Sequence, residues 1–308
     1  MRLPERLRAL SWELPRNFLG LDEATSDFEA ARAVILPVPY EATVSYGAGT
    51  GNGPAAILEA SRYIELYDNE LDAEPCRVGV ATLPELHLTG AGPEAALREL
   101  RAAYEALLDS GPGKFVIALG GEHSISSAPI VAWADRLQAL GRRLTVLQFD
   151  AHTDLREEYE GSPYSHASVM YRAQAEGKLD VVAVGIRAMD RAEVELVRRS
   201  DHLHVLPAHE IHGNRTWMGD VAALLGPDVY ISFDVDVFDP SLLPSTGTPE
   251  PGGLQWYPVL ELLRRVFRER TVHAADVVEL APIPGFHAPD FLVAKLVYKM
   301  IGYRFVGG

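Results

Sequence analysis

Short runs that are apolar almost from end to end constrain this chain more than any other feature. They lie at 33–37 (AVILP), 115–120 (FVIALG), 144–149 (LTVLQF), 181–185 (VVAVG), 204–206 (HVL), 229–233 (VYISF) and 275–280 (ADVVEL), each closed by a turn or a polar cluster. A strand with one wet face alternates apolar with polar residues. A run without that alternation is buried on both faces, as in a parallel sheet covered by helices. Between the runs, segments 54–67, 93–109, 126–140, 190–200, 258–269 and 290–301 have amphipathic spacing at helix length, and Pro54 suits a first helical position. Strand and helix alternate over almost all 308 residues, so the expected fold is α/β with a mostly parallel, doubly wound sheet. No repeat, low-complexity tract or linker interrupts the pattern. Residues 1–308 therefore read as one domain, with 1–30 an N-terminal extension packed on it.

Composition removes several function classes. The net charge of −15, from 43 acids against 28 bases, repels a phosphate backbone and argues against nucleic-acid binding. A metal or a small cationic substrate is compatible with it. The single cysteine, Cys76, allows no internal disulfide and favours a cytoplasmic location. No segment approaches the roughly 18 consecutive apolar residues of a membrane span. The opening MRLPERLRALSWELPRN is too charged and proline-broken for a secretion signal.

In parallel sheets, ligands bind beyond the carboxyl ends of the strands. Three strand ends here are unusual. FVIALG runs into Gly121-Glu122-His123-Ser124, LTVLQF into Asp150-Ala151-His152-Thr153-Asp154, and VYISF into Asp234-Val235-Asp236-Val237-Phe238-Asp239-Pro240. One Asp after a strand commonly caps the next helix. Gathered carboxylates, however, repel one another unless cations neutralise them. A sulfur-free set of two imidazoles and four carboxylates suits Mn²⁺ best, with Mg, Fe, Ni and Zn open. The donors outnumber the needs of one tetrahedral ion. Because carboxylates can bridge, two metals about 3.5–4 Å apart are expected.

GGEHS, DAHTD and SFDVDVFDP resemble, in this order, the three metal-binding signatures of the ureohydrolases, the arginase and agmatinase family. Segment 38–61 is similar to that family's N-terminal substrate-side segment, and TGTPEPGG (246–253) and DVVELAP (276–282) resemble its later motifs. The resemblance implies a three-layer α/β/α, arginase-like fold and a homo-oligomer, trimer or hexamer. It also implies two Mn²⁺ per chain, one held by His123, Asp150, Asp154 and Asp234, the other by Asp150, His152, Asp234 and Asp236. Asp150 and Asp234 would bridge. Glu279 resembles the glutamate that receives the substrate guanidinium, through two parallel hydrogen bonds. His166 resembles the proton-shuttling histidine of the family. The implied reaction is attack of a metal-bridging hydroxide on the guanidinium carbon, with Asp154 accepting a hydrogen bond from it and an amine and urea leaving.

Two features bear on substrate. The loop 155–162 carries Glu157, Glu158 and Glu160, which suit a cationic tail, although Arg156 could pair with an acid. Glu250 stands where arginases usually carry an apolar residue. Both favour a substrate without a carboxylate, with agmatine, giving putrescine, first. N1-aminopropylagmatine satisfies the same clues, while arginine and guanidinobutyrate fit less well. Glu122 replaces the commoner Asp of the first signature and reads as structural rather than as a ligand. Other classes explain less. Asp234-Val235-Asp236-Val237 resembles the D-x-D-x-[TV] motif of haloacid-dehalogenase phosphatases, but Phe238 stands at its last position and the reading leaves His123, Asp150, His152 and Asp154 idle. GAGTGNG (47–53) fails the dinucleotide-binding spacing, and Phe238 breaks an EF-hand loop. A non-catalytic metal-binding protein of the same fold remains the different-class alternative.

Overall fold

The apolar runs assemble into one parallel sheet. The structure, a computed structural model, describes residues 17–307. Its strands are β1 (Ala33–Val38), β2 (Val80–Thr82), β3 (Phe115–Gly120), β4 (Leu144–Phe149), β5 (Asp180–Ile186), β6 (Leu203–Pro207), β7 (Asp228–Asp234) and β8 (Thr271–Val278). They lie in the order β2-β1-β3-β8-β7-β4-β5-β6, every neighbouring pair parallel. The chain winds out to β2, returns through β3, jumps to β4 and runs to the edge at β6. It then comes back to insert β7 and β8 into the gap. That insertion sets the four central strands side by side as β3-β8-β7-β4.

Helices cover both faces, which is why the strands need no alternation. They are α1 (Gly53–Ser61), α2 (Pro93–Ser110), α3 (Ser127–Gln138), α4 (Val169–Gly177), α5 (Arg191–Arg199), α6 (Ala208–Ile211), α7 (Trp217–Leu224), α8 (Trp256–Glu269) and α9 (Ala288–Phe305). Ile35, Ile117, Phe149, Ile231 and Val277 point to the layer of α1, α7, α8 and α9, where they meet Ile57, Leu263 and Val297. Their neighbours Val34, Val116 and Ala118 meet α2 through Leu100 and Tyr104. Val146, Ala183 and Tyr230 meet α3 and α4 through Ile130 and Met170. The result is the expected three-layer α/β/α architecture.

Local expectations fail where signals are weakest. β2 has three residues, too few to show a pattern. α6 has four residues, and α7 carries Gly219, a poor helix former, in its middle. The first helix stops at Ser61 rather than at 67. The chain then turns so that Leu66 O accepts from Tyr298, and Asp68 Oδ1 from Lys299 Nζ at 2.8 Å, both on α9. β8 begins at Thr271 and ends at Val278 rather than spanning 275–280. Residues 1–16 of the N-terminal extension lie outside the described residues. Beyond them Phe18, Leu19 and Phe28 are buried, and Phe18 N donates to Thr82 Oγ1 at 2.8 Å. Among the described residues no helix is long and apolar enough to cross a membrane.

Candidate metal centre and substrate cleft

The three acidic signatures follow β3, β4 and β7, and Glu279 follows β8. Sheet order therefore puts all four on adjacent carboxyl ends. The backbone of each signature turns at once. His123 opens the 3₁₀ turn His123–Ser126, and Asp234 caps the turn Val235–Val237 by accepting from Asp236 N at 2.8 Å. Asp150 uses the same device, its Oδ1 accepting from His152 N at 2.6 Å while Oδ2 accepts from Gln148 Nε2 at 2.8 Å. Asp154 and Glu279 have positive φ, +52° and +67°. Non-glycine residues adopt this conformation at a cost that surrounding structure must offset. For Glu279 that structure is a pair of bonds, Glu279 N to Gly121 O at 2.8 Å and His123 N to Glu279 Oε1 at 2.6 Å.

All six expected metal residues come together. His123 Nδ1 lies 3.1 Å from Asp150, 2.9 Å from Asp154 and 3.4 Å from Asp234. His152 Nδ1 lies 2.9 Å from Asp236 and 3.6 Å from Asp150. Two donor clusters result, His123-Asp150-Asp234 and Asp150-His152-Asp236, with Asp150 common to both. The far nitrogen of His123 is committed: Nε2 is 2.9 Å from Ser232 Oγ, which donates to Asp276 Oδ1 at 2.9 Å. Since the serine proton goes to the carboxylate, Nε2 carries the imidazole proton. Nδ1 is buried, ringed by carboxylate oxygens and in line with none of them for a hydrogen bond. That arrangement fits a divalent cation set between the donors, as does the sulfur-free nitrogen–oxygen set.

Electrostatics point the same way. Burial, with Asp236 and Asp150 adding to it, pushes Asp234 well above the ordinary carboxylate range. Burial and Asp150 raise Asp154. Against its own burial, Asp150 is held below the usual range by the adjacent imidazoles of His123 and His152. Burial disfavours a charged His152, but Asp236 and Asp150 override it and push the imidazole up to about 12. Burial lifts Glu279 to about 8. Positive charge set among them is what these buried carboxylates require.

A cavity of about 390 Å³ opens over this cluster, lined by His152, Asp154, Asp234, Asp236, Glu279 and His166 among others. The segment 38–53 forms one wall. A Cβ on Gly121 would fall 2.1 Å from Tyr40 O, and one on Gly47 would fall 2.7 Å from Gly247 O, so both glycines are needed for this wall to approach. Glu122 is fully buried and serves the same wall. Its Oε2 accepts from Ala42 N and Thr43 N, each at 2.6 Å, and its Oε1 from Thr43 Oγ1 at 2.7 Å. Its carboxylate thus holds backbone, as the sequence suggests.

Other substrate clues are placed differently than the sequence implies. Glu157, Glu158 and Glu160 are exposed and none lines the cavity. Glu157 and Glu158 line an adjoining groove that shares Arg156, Asp190 and Glu193 with it. Glu250 contributes its carbonyl, which accepts from Arg187 Nη2 at 2.7 Å. Arg187 also donates to the carbonyls of Gly185, Asp236, Val237 and Phe238. Arg156 lies 3.6 Å from Asp190 and stacks 4.7 Å from the centre of the Tyr159 ring. Sequence reasoning missed Ser232, Asp276, Thr43 and Arg187. A signal existed for the first two, because each is a polar residue inside an otherwise apolar strand, where an unpaired polar group is costly. None existed for Thr43 and Arg187, which act through contacts distant in sequence.

The family model described as "Arginase family" matches residues 31–302. The chain is 44% identical to N(1)-aminopropylagmatine ureohydrolase of Thermus thermophilus, over 93% of this chain and 94% of that protein. It is 31% identical to agmatinase of Pyrococcus horikoshii, over 96% of each. Among solved structures, agmatine ureohydrolase of Thermoplasma volcanium superposes with a TM-score of 0.80 at 26% identity, covering 98% of this chain and 97% of that one.

Proposed function

The chain belongs to the arginase family of ureohydrolases, and from that premise we propose that it hydrolyses a carboxylate-free guanidino polyamine, N1-aminopropylagmatine, to urea and the corresponding amine. The observation that carries this reading is the cleft wall. Its two arginines are both engaged, Arg187 by backbone carbonyls and Arg156 by Asp190 and Tyr159, so neither is left for a substrate carboxylate. With Asp190 facing Arg156 and Asp154, Asp234 and Asp236 in the metal cluster, Glu193 and Glu279 are the carboxylates of the lining left to suit cationic groups. The adjoining groove carries Glu157, Glu158 and Glu195 past the cavity mouth and favours a substrate longer than agmatine. Agmatine itself, first on sequence grounds, is the second reading, supported by likeness to agmatinases.

His123, Asp150, His152, Asp154, Asp234 and Asp236 would hold two Mn²⁺ ions. When bound, the ions supply Lewis acidity and lower the pKa of water at the site. The chain's own residues do the rest. Glu279 pairs with the guanidinium, whose charge draws its carboxyl back into the ionised form, and so orients the reacting carbon. Asp154 accepts a proton from the attacking water. As the carbon–nitrogen bond breaks, its electron pair goes to the amine nitrogen, His166, protonated beforehand from solvent at Nε2, delivers the proton that completes the amine, and the carbon's hydroxyl proton passes to solvent to leave urea.

The test is urea release by the Mn²⁺-loaded protein with N1-aminopropylagmatine, agmatine, arginine and guanidinobutyrate side by side. The highest kcat/KM is expected for N1-aminopropylagmatine, with the two acids far behind. Arginine ahead would overturn the reading of Arg156 and Arg187. No urea from any of the four would overturn the function.

A further inference from the structure

Thr43 stands between two groups that sequence does not connect. Its hydroxyl donates to Glu122 Oε1 at 2.7 Å. The same oxygen accepts from His166 N at 3.0 Å and lies 3.4 Å from His166 Nδ1. A hydroxyl has one proton and two lone pairs. The proton goes to Glu122, whose carboxylate also receives Ala42 N, Thr43 N and the Ser124 hydroxyl. Four donors converge on this carboxylate, so it acts as acceptor only. Thr43 Oγ1 can then meet Nδ1 of His166 only as an acceptor, which requires the proton on Nδ1. Ser165 Oγ, 3.4 Å from the same nitrogen, can also take that proton. Nε2 is left with its lone pair on the side of Ser45, another cleft residue, whose Oγ is 3.5 Å away.

We infer that Glu122, acting through Thr43, is a positioning residue that holds His166 in the Nδ1–H tautomer and turns Nε2 toward the substrate cleft. The inference rests on the proposed role of His166 as the group that hands a proton to the departing amine: the bare Nε2 first takes up that proton from solvent in the cleft and then delivers it. It gives the Glu at this position a task besides shaping the wall: it claims the Thr43 proton, so the threonine cannot donate to His166.

The tautomer is read directly by ¹⁵N NMR of histidine-labelled, metal-free protein under conditions where the ring is uncharged. His166 is assigned by the signal lost in His166→Asn. The expected result is an N–H signal for Nδ1 and a bare-nitrogen signal for Nε2. Glu122→Gln keeps the size but places an amide donor beside Thr43, freeing its hydroxyl to donate to Nδ1, and the tautomer shifts toward Nε2–H. Thr43→Val removes the hydroxyl and weakens the preference, and Thr43→Ser keeps the wild-type spectrum. In the Mn²⁺-loaded enzyme Glu122→Gln lowers kcat by about tenfold or more with KM nearly unchanged. An Nε2–H tautomer in the wild type overturns the inference. So does a tautomer unmoved in both Glu122→Gln and Thr43→Val. If the tautomer shifts as expected but no guanidino compound yields urea, the proposed function falls and the positioning role stands.

Discussion

Asp150 is the one side chain common to both donor clusters, and its two oxygens face different imidazoles. Replacing it by Ala removes a donor from each cluster at once. Asp150→Ala and Asp234→Ala are therefore expected to lose bound Mn²⁺ and urea release together, well beyond the ~10–100-fold cost of losing a partner behind a ligand. Metal analysis alongside a urea assay checks this, and near-normal turnover in either variant contradicts the assignment. Asp276→Asn falls in the milder class. It weakens the chain Asp276–Ser232–His123 and is expected to raise the Mn²⁺ dissociation constant about 10–100-fold, read by metal titration. Glu279→Gln removes a charged acceptor but no proposed ligand. A hydrogen bond to a charged group is worth about 1.5–3 kcal/mol, so kcat/KM should fall about 10–100-fold with Mn²⁺ content unchanged.

At the scale of elements, β7 and β8 enter the sheet last and occupy its centre. The loops they carry must then be held against strands made much earlier in the chain. Arg187, at the end of β5, does this for the loop after β7 by donating to the carbonyls of Asp236, Val237, Phe238 and Glu250. A lysine has one donor nitrogen in place of a planar fork and cannot reach all of them. Arg187→Lys is expected to cost about 2–4 kcal/mol in urea denaturation, because buried carbonyls lose their partners. The long two-face-buried strands and the amphipathic α2 and α8 are legible in the sequence because burial leaves a period there. β2, α6 and α7 are not, being too short or, in α7, interrupted by Gly219. The site shows the same division. The ligand types were legible as acids at the ends of apolar runs, whereas Thr43 and Arg187, whose partners lie far along the chain, were not.

Over the whole molecule, pH and metal are coupled. Asp234, Asp154 and Glu279 have raised pKa values in the metal-free fold, so between the ordinary carboxylate range and about 8 the folded chain holds protons that the unfolded chain gives up. Stability then falls as pH rises through that interval. His152, pushed up to about 12, adds the same sign: its stabilisation is complete below the unfolded value near 6.5 and is lost as pH rises toward 12. The metal-free protein is therefore expected to show a Tm that declines from about pH 5 to pH 9. Mn²⁺, which replaces those protons, should raise Tm by an amount that grows with pH. Calorimetry with chelator and with Mn²⁺ at several pH values measures both slopes. An apo Tm that rises over this interval contradicts the account.

Sequence by itself determined the class of fold, since runs without alternation can be satisfied only between two layers of helices. It also determined the kind of chemistry, since clustered carboxylates with imidazoles call for divalent cations. Tertiary structure decided which strands are neighbours, and so that four loops drawn from residues 121 to 279 meet at one cleft. It decided as well that the arginines at that cleft are already paired, and that Glu122 reaches His166 through Thr43. Burial imprints a local period on sequence. Partnership between polar groups far apart in the chain imprints none, and it takes effect only once the sheet has set its order.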